Sequence, residues 1–278
     1  MSEFIANFAA IDASEIVQVL LKETGQTEGM AVNTSQILAH LNIEQLTFDF
    51  ERHVPKECWG NSQDAPKALL DFRECLIAVD EKLYPKKQRF AVLHEVGHYV
   101  LPDHREQLYI CDKEDLSPKA NIILEKQANE FAAELLFKGN EFNRDANSYR
   151  VSAASVKQLA EKYDASFEAT ARRLAEKNSQ PVLMGVFAKA HDNKWYVDYC
   201  HSSVSFRSRY FSEIKGVLPA GLGSDLEVRG RDIADVEKDV ITIESTDEKK
   251  KNSFNAEFFT NSYKIFCFLT PVSPVGTV

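Results

Sequence analysis

The feature that most limits the fold of this 278-residue chain is a pair of histidines four positions apart, His94 and His98, in the segment HEVGH. In an α-helix, residues at this spacing lie on one face, one turn apart, so both imidazoles can bind the same metal ion. Glu95 lies about 100° further round such a helix, where its carboxylate can reach a metal-bound water without binding the metal. The segment therefore predicts a helix that carries part of a metal site.

The residues around this motif predict that the helix runs from about residue 85 to residue 100. Apolar positions along it supply a surface for burial, and Pro102 lacks a backbone donor and helps to end the helix. Gly97 has no side chain, which costs roughly 1 kcal/mol of helix propensity but lets another segment pack closely. We expect this close neighbour to be a second helix.

That second helix is predicted from about residue 117 to residue 138, after a polar loop at 101–116. Ser117 is typical of an N-cap, Pro118 of the first helical position and Gly139 of a C-terminal stop. The chain thus contains two helices, joined by a polar loop, that can face each other across a metal ion.

Catalytic zinc sites use three protein ligands and keep one position open, so the second helix must supply a further ligand. Glu125 is the candidate, because it shares a helix face with Asn129 and with the small residues Ala128 and Ala132. Asn129 could accept the outer N–H of a ligating histidine. The other glutamates of this helix lie on other faces and are expected to meet solvent.

Other interpretations of the histidine pair stay open. The H-E-x-x-H pattern also arises by chance, with histidines that face solvent. A closed structural zinc site would need a fourth ligand, which His104 could supply, although such sites favour cysteine. In a catalytic site a second donor to the oxyanion is expected, and His104 and Tyr109 in the polar loop are the candidates.

The two helices resemble those of the ImmA/IrrE family of zinc metallopeptidases. The resemblance rests on RFAVLHEVGHYVL and the downstream EKQANEFAAELL, and it is specific over about residues 88–138. It implies that His94, His98 and Glu125 hold zinc, with manganese as an alternative, and that Glu95 is catalytic. It also implies an endopeptidase that cleaves a helix-turn-helix transcriptional repressor and so releases genes of a stress response or a mobile element.

The predicted fold class is α+β, in three parts. Residues 1–140 are expected to form a helical zincin-like peptidase domain with a small sheet. Residues 141–180 are expected to form a helix-turn-helix-like unit, which a polar linker at 139–150 would precede. Residues 181–278 predict a C-terminal α/β domain, with a hairpin near 191–193 and a charged loop at 245–254, and the family layout implies a GAF-like fold there.

A basic edge on the second helix of the helix-turn-helix-like unit is the basis of the alternative function. Arg172, Arg173 and Lys177 could meet DNA phosphates. Two glutamates on the same helix reduce its charge, and the net charge of -9 argues against a nucleic-acid surface that extends over the chain. Packing between flanking domains is the simpler role. The alternative is a DNA-binding or ligand-sensing transcriptional regulator with a secondary metal site.

Composition and the N-terminal sequence indicate a soluble, cytoplasmic protein with no membrane partner. The five cysteines are scattered and form no C-x-x-C pair, which fits reduced thiols better than disulfides or a cysteine zinc site. No basic residue precedes Lys22, unlike in an export signal. No uncharged apolar run approaches the roughly 18 residues that span a bilayer.

Overall fold

The computed structural model describes residues 13–29, 31–58, 64–102, 104, 118–211, 214, 237–244, 251–260 and 264–272. The chain divides into two compact units, Met1–Phe142 and Asn143–Val278. Both units combine helices with a sheet, so the predicted α+β class is confirmed. Among the described residues, none of the helices has the length and apolar character that a membrane span requires.

The first unit is built from helices around a small sheet. Its elements are α1 (Ala13–Glu23), α2 (Thr34–Leu41), β1 (Glu44–Phe48), α3 (Phe50–His53), a 3-10 turn (Lys56–Cys58), β2 (Ala68–Asp71), β3 (Leu76–Asp80), α4 (Pro85–Val100) and α5 (Pro118–Leu136). The sheet has the order β1-β3-β2, in which β1 runs parallel and β2 antiparallel to β3. Alternate residues of β3, Ile77 and Val79, are fully buried and mark the face that meets the helices.

Helix α4 occupies the centre of the first unit, where it packs against α2, α5, β2 and β3. Its bounds confirm the helix predicted at 85–100. Pro85 stands in its first turn, where the missing N–H has no helical partner to lose. Leu101 adopts an extended conformation, because Pro102 disfavours helical geometry in the residue before it.

The polar stretch at 139–150 contains a helix, α6 (Asn140–Ser148), so the prediction of a linker there is wrong. Phe142 and Ala146, one helical turn apart, are both fully buried. Lys138 and Gly139 before it both have positive φ angles, which end α5 and turn the chain. Two apolar residues at helical spacing thus outweigh the polar composition of the segment.

The second unit continues with two helices and a sheet. Its further elements are α7 (Ala153–Lys162), α8 (Phe167–Lys177), β4 (Leu183–Lys189), β5 (Trp195–Ser202), α9 (Val204–Arg207), β6 (Glu237–Glu244), β7 (Lys251–Thr260) and β8 (Ile265–Pro271). The two helices predicted for the helix-turn-helix-like unit are present, and the hydroxyls of Ser152 and Ser166 cap their N-termini.

The sheet of the second unit is antiparallel throughout, with the order β5-β4-β8-β7-β6. The predicted hairpin near 191–193 joins β4 and β5, and Asn193 takes the left-handed conformation at its turn. Strand β7 begins at Lys251, inside the segment predicted as a charged loop, whereas 245–250 lie outside the described residues. The GAF-like fold and the division of the chain near residues 140 and 180 stay predictions.

Buried residues of β4, β7, β8 and α9 form the core on one face of this sheet. They are Leu183, Phe187, Phe206, Phe254, Ala256, Phe258, Ile265, Cys267 and Leu269. On the other face, the ring of Phe167 in α8 lies 5.4 Å from that of Phe259 and 5.7 Å from that of Phe266. The sheet is therefore apolar on both faces, which explains the aromatic-rich sequence of its central strand β8.

Candidate metal centre

Helices α4 and α5 bring the three predicted ligands His94, His98 and Glu125 together. The Nε2 atoms of the histidines lie 3.1 Å apart. The Glu125 carboxylate places Oε2 at 3.2 Å from Nε2 of His94 and Oε1 at 3.5 Å from Nε2 of His98. Two ligand atoms of a tetrahedral zinc ion, each about 2.0–2.1 Å from the metal, lie about 3.3 Å apart. The three side chains therefore fit one zinc ion.

Close packing of α4 on α5 allows this convergence. A Cβ atom added at Gly97 would lie 3.1 Å from Cδ1 of Phe131 and 3.3 Å from both Cα and O of Ala128. Ala128 and Ala132 are fully buried, as expected for small residues on the contacting face. The absence of a side chain at Gly97 thus brings the ligand of α5 within reach of the two imidazoles of α4.

The outer nitrogen of His94 is held by α5. Its Nδ1 lies 3.1 Å from Oδ1 of Asn129. An amide oxygen can only accept, so Nδ1 carries the hydrogen and Nε2 presents a lone pair to the metal position. This is the contact that the sequence predicted for Asn129.

The three ligands differ in their exposure. The side chains of His94 and His98 are 15% and 6% exposed, whereas that of Glu125 is 50% exposed. The metal position is therefore backed by the imidazoles of α4 and open to solvent on the Glu125 side. A catalytic metal needs such an open side, and a closed structural site does not.

Residues 61–175 match the sequence family described as the IrrE N-terminal-like domain, which is a peptidase family. The matched stretch contains both metal-site helices, and the resemblance noted in the sequence is thereby confirmed. Residues 61–175 are therefore similar to the IrrE N-terminal-like domain.

One solved structure similar to the whole chain is described as a Mycobacterium tuberculosis transcriptional regulator. It superposes with a TM-score of 0.59 at 14% identity, over 93% of this chain and 75% of that one. At this identity the likeness shows a shared fold alone. No curated protein matches the chain. The family match at residues 61–175 thus indicates a metallopeptidase-like domain in that part of the chain.

The electrostatics of the metal centre are set by His94, His98, Glu125 and the neighbouring Glu95. Hydrogen bonds with His94 and His98 hold the pKa of Glu125 well below its usual range. Burial lowers the pKa of His94, but the hydrogen bond to Glu125 and the charges of Glu95 and Glu125 outweigh it and raise that pKa. Burial raises the pKa of Glu95, against the opposing effect of the two histidines. The carboxylate of Glu125 and the imidazoles of His94 and His98 thus share one site with the half-buried acid Glu95.

His104 lies behind the metal-binding histidines. It is buried, with 1% of its surface exposed, and its Nδ1 is 3.0 Å from Nδ1 of His98. Its Nε2 is 3.1 Å from Oε1 of Gln127. Both ring nitrogens are therefore engaged away from the ligand atoms, a position that argues against His104 as an oxyanion donor or a fourth zinc ligand. Tyr109, the other candidate donor, lies outside the described residues.

Gln127 is the residue of this site that the sequence reasoning missed. It sits between Glu125 and Asn129 in α5, but it points to a different side of the helix. No spacing rule links it to His104, which is 23 positions away. Its only sequence signal is an amide side chain on the ligand-bearing helix.

The basic edge predicted on α8 is not assembled for contact with DNA. Arg173 is buried, with 6% exposed, and cannot reach a phosphate in this fold. The Nε atom of Arg172 donates to Oε1 of Glu176 at 2.9 Å. Lys177 is half-buried at the end of the helix. The helical period brings Arg173 to the inner face of α8, so of the three candidate phosphate contacts only Arg172 is exposed, and the DNA-binding alternative stays a prediction.

Proposed function

We propose that the chain is a zinc-dependent endopeptidase in which His94, His98 and Glu125 hold the metal and Glu95 is the general base. The observation that carries the proposal is the set of separations between the three ligand atoms, 3.1, 3.2 and 3.5 Å. Those values suit a zinc ion with three protein ligands. The exposure of Glu125 supports a reaction at the site, because a substrate can approach from that side.

When bound, zinc supplies Lewis acidity at the reacting carbonyl and acidifies water at the site to a pKa of roughly 7. The protein's own part in the reaction falls to Glu95. Its carboxylate takes a proton from the attacking water and later passes it to the leaving amine. Burial raises the pKa of the Glu95 carboxyl. Asn129 keeps the imidazole of His94 turned toward the metal.

We infer that the substrate is a protein, and specifically a helix-turn-helix transcriptional repressor. This part of the proposal rests on the resemblance to the ImmA/IrrE peptidases, in which such cleavage releases repressed genes. The IrrE N-terminal-like match and the name of the structural neighbour, a transcriptional regulator, agree with a role in gene control. Zinc as the native metal, with manganese as the alternative, and a cytoplasmic location belong to the same proposal.

The DNA-binding alternative receives less support from the structure. The buried guanidinium of Arg173 and the pairing of Arg172 with Glu176 leave α8 a weak electrostatic surface for phosphates. If α8 bound duplex DNA directly, the affinity would fall with salt and with Arg172→Ala. We expect neither effect in a binding titration at two salt concentrations.

The test of the proposed function is cleavage of candidate repressors by the purified, zinc-loaded chain. We expect one discrete cut in a repressor encoded beside its gene. Glu95→Gln should retain zinc and lose cleavage, because a neutral amide cannot accept the proton. Glu130→Gln is the matched control, since Glu130 is an exposed glutamate of α5 that meets Lys126 at 3.9 Å.

Two results would contradict the proposal. One is cleavage by Glu95→Gln at the wild-type rate, which would remove Glu95 from the mechanism. The other is zinc-loaded protein that cuts no repressor tested while Glu130→Gln and wild type remain folded and metal-bound. Mass spectrometry of the fragments identifies the cut, and metal content is measured on the same samples.

A further inference from the structure

We propose that His104 and Gln127 are positioning residues for the metal centre, and that they fix the tautomer of His98 through a chain of two hydrogen bonds. This inference rests on the metal site of the proposed function but not on the identity of its substrate. The chain runs from Nδ1 of His98 to Nδ1 of His104 at 3.0 Å, and from Nε2 of His104 to Oε1 of Gln127 at 3.1 Å.

The donor and acceptor of each hydrogen bond follow from the last residue in the series, Gln127. The amide oxygen of Gln127 can only accept, so Nε2 of His104 must carry a hydrogen. A neutral imidazole with its hydrogen on Nε2 has a lone pair on Nδ1, and this lone pair can accept from His98. Nδ1 of His98 is then the donor, and its Nε2 faces the metal position without a hydrogen. The amide of Gln127 thus selects the form of His98 that can bind a metal.

The burial of the His98 and His104 rings makes their tautomers depend on the hydrogen bonds that the protein supplies. His104 is 1% exposed and His98 is 5% exposed, so water has little access to the hydrogen bond between the two rings, whereas Gln127 itself is exposed. Loss of the acceptor at Gln127 would leave the hydrogen of His104 without its acceptor and free both rings to adopt the other tautomer. In that form Nε2 of His98 carries the hydrogen and cannot bind zinc.

The two metal-binding histidines are therefore oriented by different hydrogen-bond arrangements, both of which end on α5. His94 donates directly to the amide of Asn129, whereas His98 reaches the amide of Gln127 through the ring of His104. Residues two apart on a helix lie about 160° apart round its axis, so the two amides approach from different sides. Helix α5 thus supplies one ligand, Glu125, and the final acceptor for each of the other two.

The test compares two changes at Gln127 with wild type. Gln127→Met keeps the length of the side chain but cannot accept as the amide does, and we expect it to weaken zinc affinity by about 10- to 100-fold. Gln127→Glu restores an accepting oxygen and should return the affinity to at least the wild-type value. Lys126→Met is the matched control, because Lys126 is the exposed neighbour of Gln127 on α5, and it should leave zinc affinity unchanged.

A second readout separates positioning from a general structural role. In the metal-free protein, the ring ¹⁵N shifts of His98 report which nitrogen carries the hydrogen. We expect the hydrogen on Nδ1 in wild type and in Gln127→Glu, and a shift of population toward Nε2 in Gln127→Met. Circular dichroism should show the same helix content in all four proteins.

Four outcomes would overturn the inference. Wild-type zinc affinity in Gln127→Met would show that the two hydrogen bonds do not affect the metal. An equal loss of zinc affinity in Gln127→Met and Gln127→Glu would show that the ability of residue 127 to accept a hydrogen bond is not what matters. An unchanged His98 tautomer in Gln127→Met would remove its mechanism. Glu125→Ala separates these outcomes from a failure of the proposed function. If Glu125→Ala abolishes zinc binding and Gln127→Met does not affect it, the metal site is supported and only the positioning role is rejected. Wild-type protein that binds no zinc would overturn both.

Discussion

The close contact of α4 with α5 at Gly97 can be tested by the addition of one methyl group. In Gly97→Ala the new Cβ would lie 3.1 Å from Cδ1 of Phe131 and 3.3 Å from Cα and O of Ala128. Ordinary contacts of this kind need a few tenths of an ångström more. Phe131 could rotate slightly, but Ala128 contributes backbone atoms of a buried helix. The substitution should therefore push α5 away from α4.

Two effects of opposite sign set the magnitude. Alanine in place of glycine stabilises a helix by about 1 kcal/mol. Forcing extra carbon into a closely packed core costs about 1–3 kcal/mol. We expect Gly97→Ala to lower the free energy of unfolding of the first unit by about 1 kcal/mol, because most of its close contacts are with backbone.

The effect on the metal site should be clearer than the effect on stability. The ligands are divided between the two helices, with the histidines on α4 and Glu125 on α5. A displacement of a few tenths of an ångström is a large fraction of the tolerance of zinc–ligand bonds about 2.0–2.2 Å long. We expect zinc affinity to fall by at least about tenfold, which corresponds to about 1.4 kcal/mol. Competition with a chromophoric chelator measures the affinity, and urea denaturation measures the stability.

A double substitution shows which contact is responsible. Phe131→Leu removes the aromatic Cδ1 atom but leaves the contacts with Ala128, so it should rescue zinc affinity in Gly97→Ala only in part. Phe131→Leu alone is the control for the loss of aromatic packing. If Gly97→Ala bound zinc as tightly as wild type and were more stable, helix contact at Gly97 would not be what sets the ligand geometry.

Two further predictions concern stability. Zinc at about 100 times its Kd should stabilise the folded state by about 2.7 kcal/mol, seen as a higher urea midpoint that a chelator reverses; an unchanged midpoint would mean that the native site does not bind zinc tightly. In the second unit, burial raises the pKa of Glu176, but the hydrogen bond with His201 and the charge of Arg172 outweigh it and bring that pKa below its ordinary value of 4.5. The resulting stabilisation is present above that ordinary value and is lost as the pH falls through the lower folded-state value. Glu176→Gln should therefore lower the free energy of unfolding near neutral pH and make that free energy fall less steeply as the pH is lowered. Urea titrations at several pH values measure both effects. A decrease in acid identical to that of wild type would contradict the role given to Glu176.

Much of the metal centre followed from the sequence because helical periodicity is a local property. The spacing of His94 and His98 places them on one face wherever the segment is helical. The same reasoning selected Glu125, since small residues one turn away mark the face of α5 that can approach another helix. The bounds of α4 were also predictable, because a proline in the first turn and a proline after the last turn act on adjacent residues.

Polar composition was a weaker guide. The stretch at 139–150 was predicted as a linker, but Phe142 and Ala146 are buried and the segment is helical. Arg173 was a candidate for contact with DNA phosphates, but it is buried. Whether a polar residue faces solvent depends on which side of its helix packs, and that is decided by neighbours far away in the sequence.

By itself the sequence determined which residues can hold a metal, since helix geometry dictates which side chains share a face. Apart from Asn129, only the tertiary structure decided which groups support them. The hydrogen bonds of His98 with His104 and of His104 with Gln127 join His104 to two helices, α4 and α5. Such contacts depend on the distance and the relative rotation of α4 and α5. Those quantities arise from packing at Gly97 and Ala128 and have no counterpart in the spacing of residues along the chain.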